Sequence, residues 1–170
     1  MRALLRRSID ELWLLKEGRR KKFALERGRY QRLVFVCKGN ICRSVYAERY
    51  AATLGLRAIS RGLITTPGCP PDSTACLVAR ARGVMLDGHK TASWNPSEVL
   101  HGDLVLVMEP WQLKRVVASL ADSEKTAALL GAWETPPKTT IADPYGLSVD
   151  VFHACFSQLE SNVNAIADAF

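Results

Sequence analysis

Residues 33–44 read LVFVCKGNICRS, and this stretch decides the fold. Its first four residues are apolar and β-favouring, and the run is too short for a helix, so it predicts a strand at Leu33–Val36 that is buried on both faces. A polar loop that contains glycine follows. From Ser44 to Leu54 apolar residues recur with helical spacing, and Gly55 can end that helix in a left-handed conformation. The stretch therefore predicts a strand, a loop and a helix in direct succession.

The same alternation of strands and helices continues to the C-terminus. Short apolar runs predict three further strands, at Ala58–Ile59, Asp103–Met108 and Ala127–Leu130. Helical spacing and capping residues predict helices or helical turns at Asp72–Gly83, Asn95–Glu98, Trp111–Leu120 and Ser148–Phe170. Turn-forming residues predict loops at Gly62–Pro71 and Gly131–Gly146. We therefore predict an α/β fold, a three-layer sandwich in which a central, mostly parallel four-stranded sheet has helices on both faces.

Composition narrows the class of protein before any motif is considered. The chain has 170 residues, of which 48% are hydrophobic and 24% charged, which is ordinary for one domain with a single core. It contains no apolar run long enough to span a membrane, and its first thirty residues lack the pattern of a secretory signal. An odd number of cysteines, five, argues against a disulfide framework. We expect reduced thiols and a cytoplasmic protein.

Positive charge is concentrated at the N-terminus. Residues 1–32 contain 11 Lys or Arg and 4 Asp or Glu, whereas the remaining residues contain 12 and 13. We therefore divide the chain into a basic arm at 1–32 and a domain at 33–170. A capping-box pattern at Ser8–Glu11 predicts that the arm is partly helical. The arm either packs on the domain or is solvated, or else it docks on an acidic partner or an anionic surface. Because the domain itself is near neutral, no nucleic-acid partner is expected.

The loop after the first strand contains a cysteine and an arginine separated by five residues. In a parallel sheet, sites form at the carboxyl ends of strands, where this loop lies. A short loop between a strand and a helix N-terminus turns its backbone N–H groups inward, and such a nest binds a tetrahedral oxyanion. The fork of Arg43 can hold phosphate oxygens, and the same positive groups favour the thiolate form of Cys37 as a nucleophile. Taken singly, Cys37 could be a buried core residue and Arg43 a solvated charge.

The remaining predicted site residues support this chemistry. Gly39 and Asn40 tolerate the left-handed backbone angles that converging N–H groups require, and the Ser44 hydroxyl can donate to the thiolate. The loop residues predicted to bind the phosphoryl group are Lys38, Gly39, Asn40, Ile41, Cys42 and Ser44. The leaving oxygen needs an acid, and the best carboxylate is Asp143, although an Asp before a proline is also a common turn initiator. No metal or other cofactor is needed.

The loop at Cys37–Ser44 and the Asp143–Gly146 segment together resemble the low-molecular-weight protein tyrosine phosphatase family. The similarity extends over Leu33 to the C-terminus and includes Ser60–Gly62, Leu86–His89 and Asp103–Glu109 in the family's order. The resemblance implies that Cys37 is the nucleophile, Arg43 the phosphate clamp, and Asp143 the general acid and then base. It implies supporting roles for Asn40 and Ser44, and Tyr145 as a pocket wall. The implied partner is a protein that contains phosphotyrosine.

The chain departs from the family pattern in three places. Arg61 stands where a small residue is usual, Ala92 stands where an arginine is frequent, and the arm at 1–32 is longer than family members usually carry before the first strand. We expect the chemistry to survive these differences. Substrate choice or local packing can differ at Arg61 and Ala92.

Two other functions fit the same loop. An arsenate reductase of this fold shares the cysteine and arginine but needs two relay cysteines, and none is present at the end of the strand Asp103–Met108. Cys69 and Cys76 lie earlier in the chain. A non-catalytic phosphate-binding module would need neither a nucleophilic Cys37 nor an acid such as Asp143. The presence of both favours the phosphatase.

Overall fold

The computed structural model describes residues 30–120 and 126–168 of the chain. Within them four strands form one sheet: β1 (Arg32–Cys37), β2 (Ala58–Gly62), β3 (Asp103–Val107) and β4 (Thr126–Leu129). Their order is β2-β1-β3-β4, and every neighbouring pair is parallel. The predicted α/β architecture is confirmed, with an entirely parallel sheet.

The helices lie on both faces of the sheet, as predicted. They are α1 (Arg43–Thr53), α2 (Ser73–Ala81), α3 (Pro110–Ser119) and α4 (Val149–Ala167), with 3₁₀ turns at Pro96–Glu98 and Leu130–Trp133. Successive residues of a strand point to opposite faces. Leu33 and Phe35 of β1 accordingly pack in the larger core with α1, α2 and α4, whereas Val34 and Val36 pack in a smaller core with α3. The result is a three-layer sandwich.

Several element boundaries differ from the sequence-based prediction by one to three residues, and two of them change how a segment is assigned. The fourth strand ends at Leu129, and the segment that follows is a buried 3₁₀ turn rather than a strand end and an open loop. This turn depends on a distant contact, because a Cβ atom at Gly131 would lie 2.6 Å from the Lys138 carbonyl oxygen. Such a close approach of two backbones requires glycine. No local pattern of residues 130–133 contains that information.

The first strand begins one residue before the predicted domain boundary. Arg32, assigned to the arm from its charge, is the first residue of β1. Its Nε and Nη2 atoms donate to the Asp103 carboxylate at 2.9 and 2.6 Å, which ties β1 to β3. The predicted helical part of the arm lies outside the described residues. Among the described helices, none is long and apolar enough to cross a membrane.

Candidate active site

Cys37 is the last residue of β1, at the carboxyl edge of the sheet. Two backbone hydrogen bonds attach the following loop to the end of β2: Leu63 N–H donates to the Cys37 carbonyl at 2.9 Å, and Ile64 N–H donates to the Lys38 carbonyl at 2.8 Å. Helix α1 then begins at Arg43. The loop at 38–42 therefore turns between a strand end and a helix N-terminus, the arrangement in which backbone N–H groups converge on an anion.

Two donors converge on the sulfur of Cys37, whose residue is only 2% exposed. Asn40 N–H donates to Sγ at 3.2 Å, and the Ser44 hydroxyl oxygen lies 3.0 Å from Sγ. The Asn40 amide donates its Nδ2 hydrogen to Ser44 Oγ at 2.9 Å, so the hydroxyl hydrogen of Ser44 is free to point at the sulfur. The sulfur therefore lies where two hydrogen-bond donors converge, which are the surroundings that a thiolate nucleophile requires.

Asn40 is the hub of the buried loop. Its φ is +56°, in the left-handed region that asparagine tolerates, whereas Gly39 has no positive φ although it was considered with Asn40 for such a conformation. The orientation of the Asn40 amide is fixed because Ala92 N–H donates to Oδ1 at 2.9 Å and Nδ2 donates to Ser60 Oγ at 2.8 Å. The loop thus has a fixed geometry before any ligand binds.

His89, which lies 49 residues further along the chain, contacts the backbone of Asn40. Burial lowers the pKa of His89 below its ordinary value, so the ring is neutral near pH 7. Its Nε2 lies 3.0 Å from the Asn40 carbonyl oxygen, and a carbonyl can only accept, so Nε2 carries the hydrogen. His89 therefore fixes the backbone of Asn40 without adding charge to the loop.

Arg43 is buried beneath the loop with 1% of its surface exposed. Nη1 donates to Glu109 Oε1 at 2.7 Å and to the Ile141 carbonyl at 3.0 Å, and Nη2 donates to Asp143 Oδ2 at 2.5 Å. Burial lowers the pKa of Arg43, but the Cys37 sulfur and the two carboxylates outweigh it and raise the pKa overall. The guanidinium is permanently charged.

The Nε atom of Arg43 is a hydrogen-bond donor without an acceptor among the residues that the structure describes. This atom is buried. Buried polar groups are almost always hydrogen-bonded, and an exception at a binding site points to a ligand. Nη2 makes one hydrogen bond within the described residues, to Asp143, and Nε and Nη2 together form an edge of the guanidinium that can hold two oxygens of a phosphate.

Glu109 is a site residue that the sequence analysis did not select. Besides Arg43, its carboxylate accepts the indole N–H of Trp111 at 3.1 Å and a side-chain N–H of Gln112 at 3.1 Å. Gln112 is itself fixed, since its Oε1 accepts Met108 N–H at 2.9 Å. Glu109 thereby sets the position of Arg43. The available signal was its place as the first charged residue after the carboxyl end of β3.

Asp143 reaches the same centre from the segment before α4. Ile141 N–H donates to the Met108 carbonyl at 2.9 Å, which docks this segment on the end of β3. One Asp143 oxygen then pairs with Arg43, and the other accepts Tyr145 N–H at 3.3 Å. The Asp143 side chain is half-buried, so it faces both the guanidinium and solvent.

The loop and this segment enclose a cavity of about 210 Å³. It is lined by Cys37, Lys38, Gly39, Ile41, Cys42, Arg43, Ile64, Asp143 and Tyr145. Of the ten predicted site residues, Asn40 and Ser44 are the two outside this lining, and both are buried behind Cys37. We call the buried group Cys37, Asn40, Arg43 and Ser44 the floor, and the exposed group Lys38, Ile64 and Tyr145 the rim. Within the described ranges, no three His, Cys, Asp or Glu side chains group as a metal site.

The two departures within the domain leave this geometry intact. Arg61 does not line the cavity, because its guanidinium pairs with Glu98 at 2.7 Å and donates to the Ser60 carbonyl. Ala92 supports Asn40 through its backbone N–H. This contact does not depend on the Ala92 side chain. Both departures are therefore compatible with an intact floor.

Comparisons with known proteins give one family. The family model described as low molecular weight phosphotyrosine protein phosphatase matches residues 32–170. The chain is 32% identical to the low molecular weight protein-tyrosine-phosphatase Etp of Escherichia coli (strain K12) over 134 residues, 78% of this chain and 89% of the relative. The crystal structure of the Erwinia amylovora tyrosine phosphatase AmsI is 33% identical to this chain and has a TM-score of 0.76. The match covers 83% of this chain and 93% of that chain. The crystal structure of the tyrosine phosphatase Wzb of Escherichia coli K30, in complex with sulphate, is 28% identical to this chain and has a TM-score of 0.75. The match covers 82% of this chain and 97% of that chain.

Proposed function

Because this chain belongs to the low molecular weight phosphotyrosine protein phosphatase family and is a phosphoric monoester hydrolase, we propose that it hydrolyses phosphotyrosine through a phosphocysteine on Cys37. The observation that carries the proposal is the unused Nε donor of Arg43 in the same cavity as the Cys37 sulfur. A tetrahedral dianion held by that donor and by the loop N–H groups has its phosphorus next to the nucleophile. Phosphoryl transfer needs little more than such positioning and charge stabilisation.

The first chemical step transfers the phosphoryl group to sulfur. The Cys37 thiolate attacks phosphorus, an S–P bond forms, and the bond from phosphorus to the phenolic oxygen breaks. Asp143 gives its proton to that oxygen, which leaves as a neutral phenol. Asn40 N–H and the Ser44 hydroxyl stabilise the thiolate before attack, and Arg43 balances the charge on the phosphoryl oxygens.

The second step regenerates the enzyme. Asp143, now a carboxylate, accepts a proton from water, whose oxygen attacks phosphorus and breaks the S–P bond. The products are inorganic phosphate and the Cys37 thiolate. The two steps transfer only a phosphoryl group and protons, so they balance without an oxidant, a reductant or a metal ion. The same carboxyl group serves both steps because its Tyr145 N–H contact and its Arg43 contact keep it at the cavity mouth.

The walls of the cavity favour an aryl ester. Above the buried floor, Ile41 and the rim residues Ile64 and Tyr145 present apolar surface, with Ile64 54% and Tyr145 61% exposed. An aromatic ring placed between the phosphate and the solvent would contact these side chains. This supports phosphotyrosine and small aryl phosphates as substrates.

The alternatives gain less support from the same contacts. A reductase relay would need thiols that can approach Cys37, but Cys69 and Cys76 do not line the cavity, and burial raises the pKa of Cys76. A module that only binds phosphate would not need Asp143 in the same cavity as the Cys37 sulfur. The phosphatase chemistry uses both Cys37 and Asp143.

We further propose a cytoplasmic location and a separate role for the arm. All five cysteines are free thiols, and a nucleophilic thiolate has to stay reduced to act. The net charge of the arm at 1–32 suits an acidic partner or an anionic surface. A truncated chain that begins at Tyr30 should keep its turnover of a small aryl phosphate and lose salt-sensitive binding to anionic vesicles. A large fall in turnover by the folded truncated chain would instead make the arm part of the site.

The proposed chemistry is tested with a generic aryl phosphate in the presence of a metal chelator. The native enzyme should turn over, and Cys37→Ser should lose turnover while it still binds phosphate, because the Arg43 and N–H donors remain. Cys69→Ser, which changes a half-buried thiol outside the cavity, is the matched control and should keep native turnover. Near-native turnover by Cys37→Ser, or arrest of the native enzyme by the chelator, would overturn the proposal.

A further inference from the structure

Lys38 is a charged residue of the cavity wall that the phosphatase chemistry leaves unused. The other two charged side chains of the lining besides the nucleophile, Arg43 and Asp143, pair with each other. Across residues 30–120 and 126–168, the Lys38 ammonium has no ion-pair or hydrogen-bond partner. The wall of the cavity therefore carries one positive charge, on Lys38, that has no partner within the described ranges.

The backbone of Lys38 fixes the place of this charge. Lys38 directly follows Cys37, and its carbonyl accepts Ile64 N–H at 2.8 Å, so the two rim residues are held side by side. Unlike the buried floor, Lys38 is exposed. Its long side chain thus starts at the cavity wall and extends at the level of the mouth.

The residues of the cavity change from buried in the floor to exposed in the rim. The part of the substrate that Lys38 can contact depends on this order. The phosphate belongs at the floor with Cys37 and Arg43, and the phenyl ring belongs between the floor and the rim residues Ile64 and Tyr145. Beyond the ring comes the peptide that carries the tyrosine. The Lys38 ammonium is therefore placed toward the side chains next to the phosphotyrosine rather than toward the phosphate.

We propose that Lys38 is a specificity-determining residue that selects phosphotyrosine sites with an aspartate or glutamate next to the phosphotyrosine. The inference rests on the proposed function and names the substrate class of that same site. Because the ion pair would be exposed, its effect is modest, about a twofold to fivefold preference in kcat/KM. It should also weaken in high salt, since exposed pairs are screened.

The experiment compares three phosphotyrosine peptides that differ only in the residues flanking the phosphotyrosine, which are Asp, Ala or Lys. We measure kcat/KM at low and high ionic strength for the native enzyme, Lys38→Met and Lys38→Glu. The matched control is Lys90→Met, which removes one positive charge from an exposed lysine that does not line the cavity. Thermal unfolding of each variant verifies that it is folded.

The native enzyme and Lys90→Met should prefer the Asp peptide over the Ala peptide by about twofold to fivefold at low salt. Lys38→Met should lose that preference, Lys38→Glu should prefer the Lys peptide, and high salt should remove the difference. A native enzyme without preference, or a preference that persists in Lys38→Met, would overturn the inference. An equal loss on all three peptides would also overturn it, because Lys38 would then act on the phosphate.

The two proposals fail in different ways. If the peptides are hydrolysed at Cys37 but without a charge preference, the inference about Lys38 is wrong and the proposed function stands. If no peptide is hydrolysed by the native enzyme, the proposed function is wrong and the inference falls with it.

Discussion

The floor and the rim of the cavity are built in opposite ways. In the floor, Asn40 and Ser44 are buried and their side chains are hydrogen-bonded. Arg43 is also buried, and its Nε donor has no acceptor within the described residues and is available to a ligand. In the rim, the side chains of Lys38, Ile64 and Tyr145 are exposed and make no hydrogen bond within the described ranges. In the proposed function, the chemistry uses groups that hydrogen bonds hold in place, whereas substrate preference uses exposed groups that can be replaced at little cost to the fold.

Asp143 links the two regions, and its replacement should give the largest effect among the following variants. It pairs with the floor through Arg43 but is reached from solvent like the rim. Asp143→Asn keeps the shape and removes the proton, so kcat/KM, which reports the first step, should fall by about 10² to 10⁴ for substrates whose leaving group needs that proton. For leaving groups that depart without a proton, the loss in kcat/KM should be much smaller, although turnover is then limited by the second step, which Asp143 also serves.

A series of aryl phosphates with increasingly acidic phenols measures this dependence for Asp143→Asn. The matched control is Asp150→Asn in the first turn of α4, an exposed aspartate that does not line the cavity, which should behave as the native enzyme. Equal losses for acidic and weakly acidic phenols would remove Asp143 from the role of general acid.

How far the sequence predicts these regions depends on how local their contacts are. The floor was predictable because Cys37, Asn40 and Ser44 lie within eight consecutive residues, so spacing alone determines which groups can meet. Asparagine tolerates the left-handed backbone that Asn40 adopts, but residue type did not show that Gly39 beside it has no positive φ. In this part of the chain, spacing predicts which side chains meet, and residue type predicts the backbone conformation only in part.

The remainder depends on contacts between distant segments. Glu109 acts on Arg43 from 66 residues away, and Asp143 acts on it from 100 residues away. A periodicity argument places Glu109 at a strand end but does not say which cation it meets. The 3₁₀ turn at Leu130–Trp133 was missed because it depends on the packing of the Gly131 backbone against Lys138, a contact outside the four residues of the turn.

The floor and the rim should also differ in how much their residues contribute to the free energy of unfolding. Ser60 supports the floor, since it accepts from Asn40 Nδ2 and donates to Glu48, and both contacts are lost in Ser60→Ala. A buried N–H without an acceptor costs about 1–3 kcal/mol, so the free energy of unfolding should fall by that amount. Ile64→Ala in the rim should change it by no more than about 0.5 kcal/mol.

Urea unfolding of the two variants and the native enzyme tests this difference. A loss for Ile64→Ala as large as that for Ser60→Ala would mean that the rim is also part of the rigid structure. The two regions would then not differ in the way described.

The smallest expected effect is a pH dependence of stability from His89, which supports the floor as a neutral ring. Its pKa in the folded protein is lowered below the ordinary 6.5 by burial, so the unfolded chain binds a proton more readily than the folded one. The His89 contribution is complete above about pH 6.5 and is lost as the pH falls through that value toward the lower folded pKa.

The free energy of unfolding of the native enzyme should therefore be lower at about pH 5.5 than at about pH 8, and His89→Gln should reduce this difference. A slope that is identical in His89→Gln and in the native enzyme would show that His89 is not held neutral by the floor.

The most direct test of the central claim is to observe the phosphoryl group on the sulfur of the floor. Asp143→Asn is mixed with an aryl phosphate that has a good leaving group, quenched with denaturant and analysed by intact mass and peptide mapping. Because Asp143 also serves the second step, the phosphoenzyme should accumulate, with one phosphoryl group per chain located on Cys37 and a matching burst of phenol. Phenol release with no phosphoryl group on the protein, or with the group on another residue, would contradict the account.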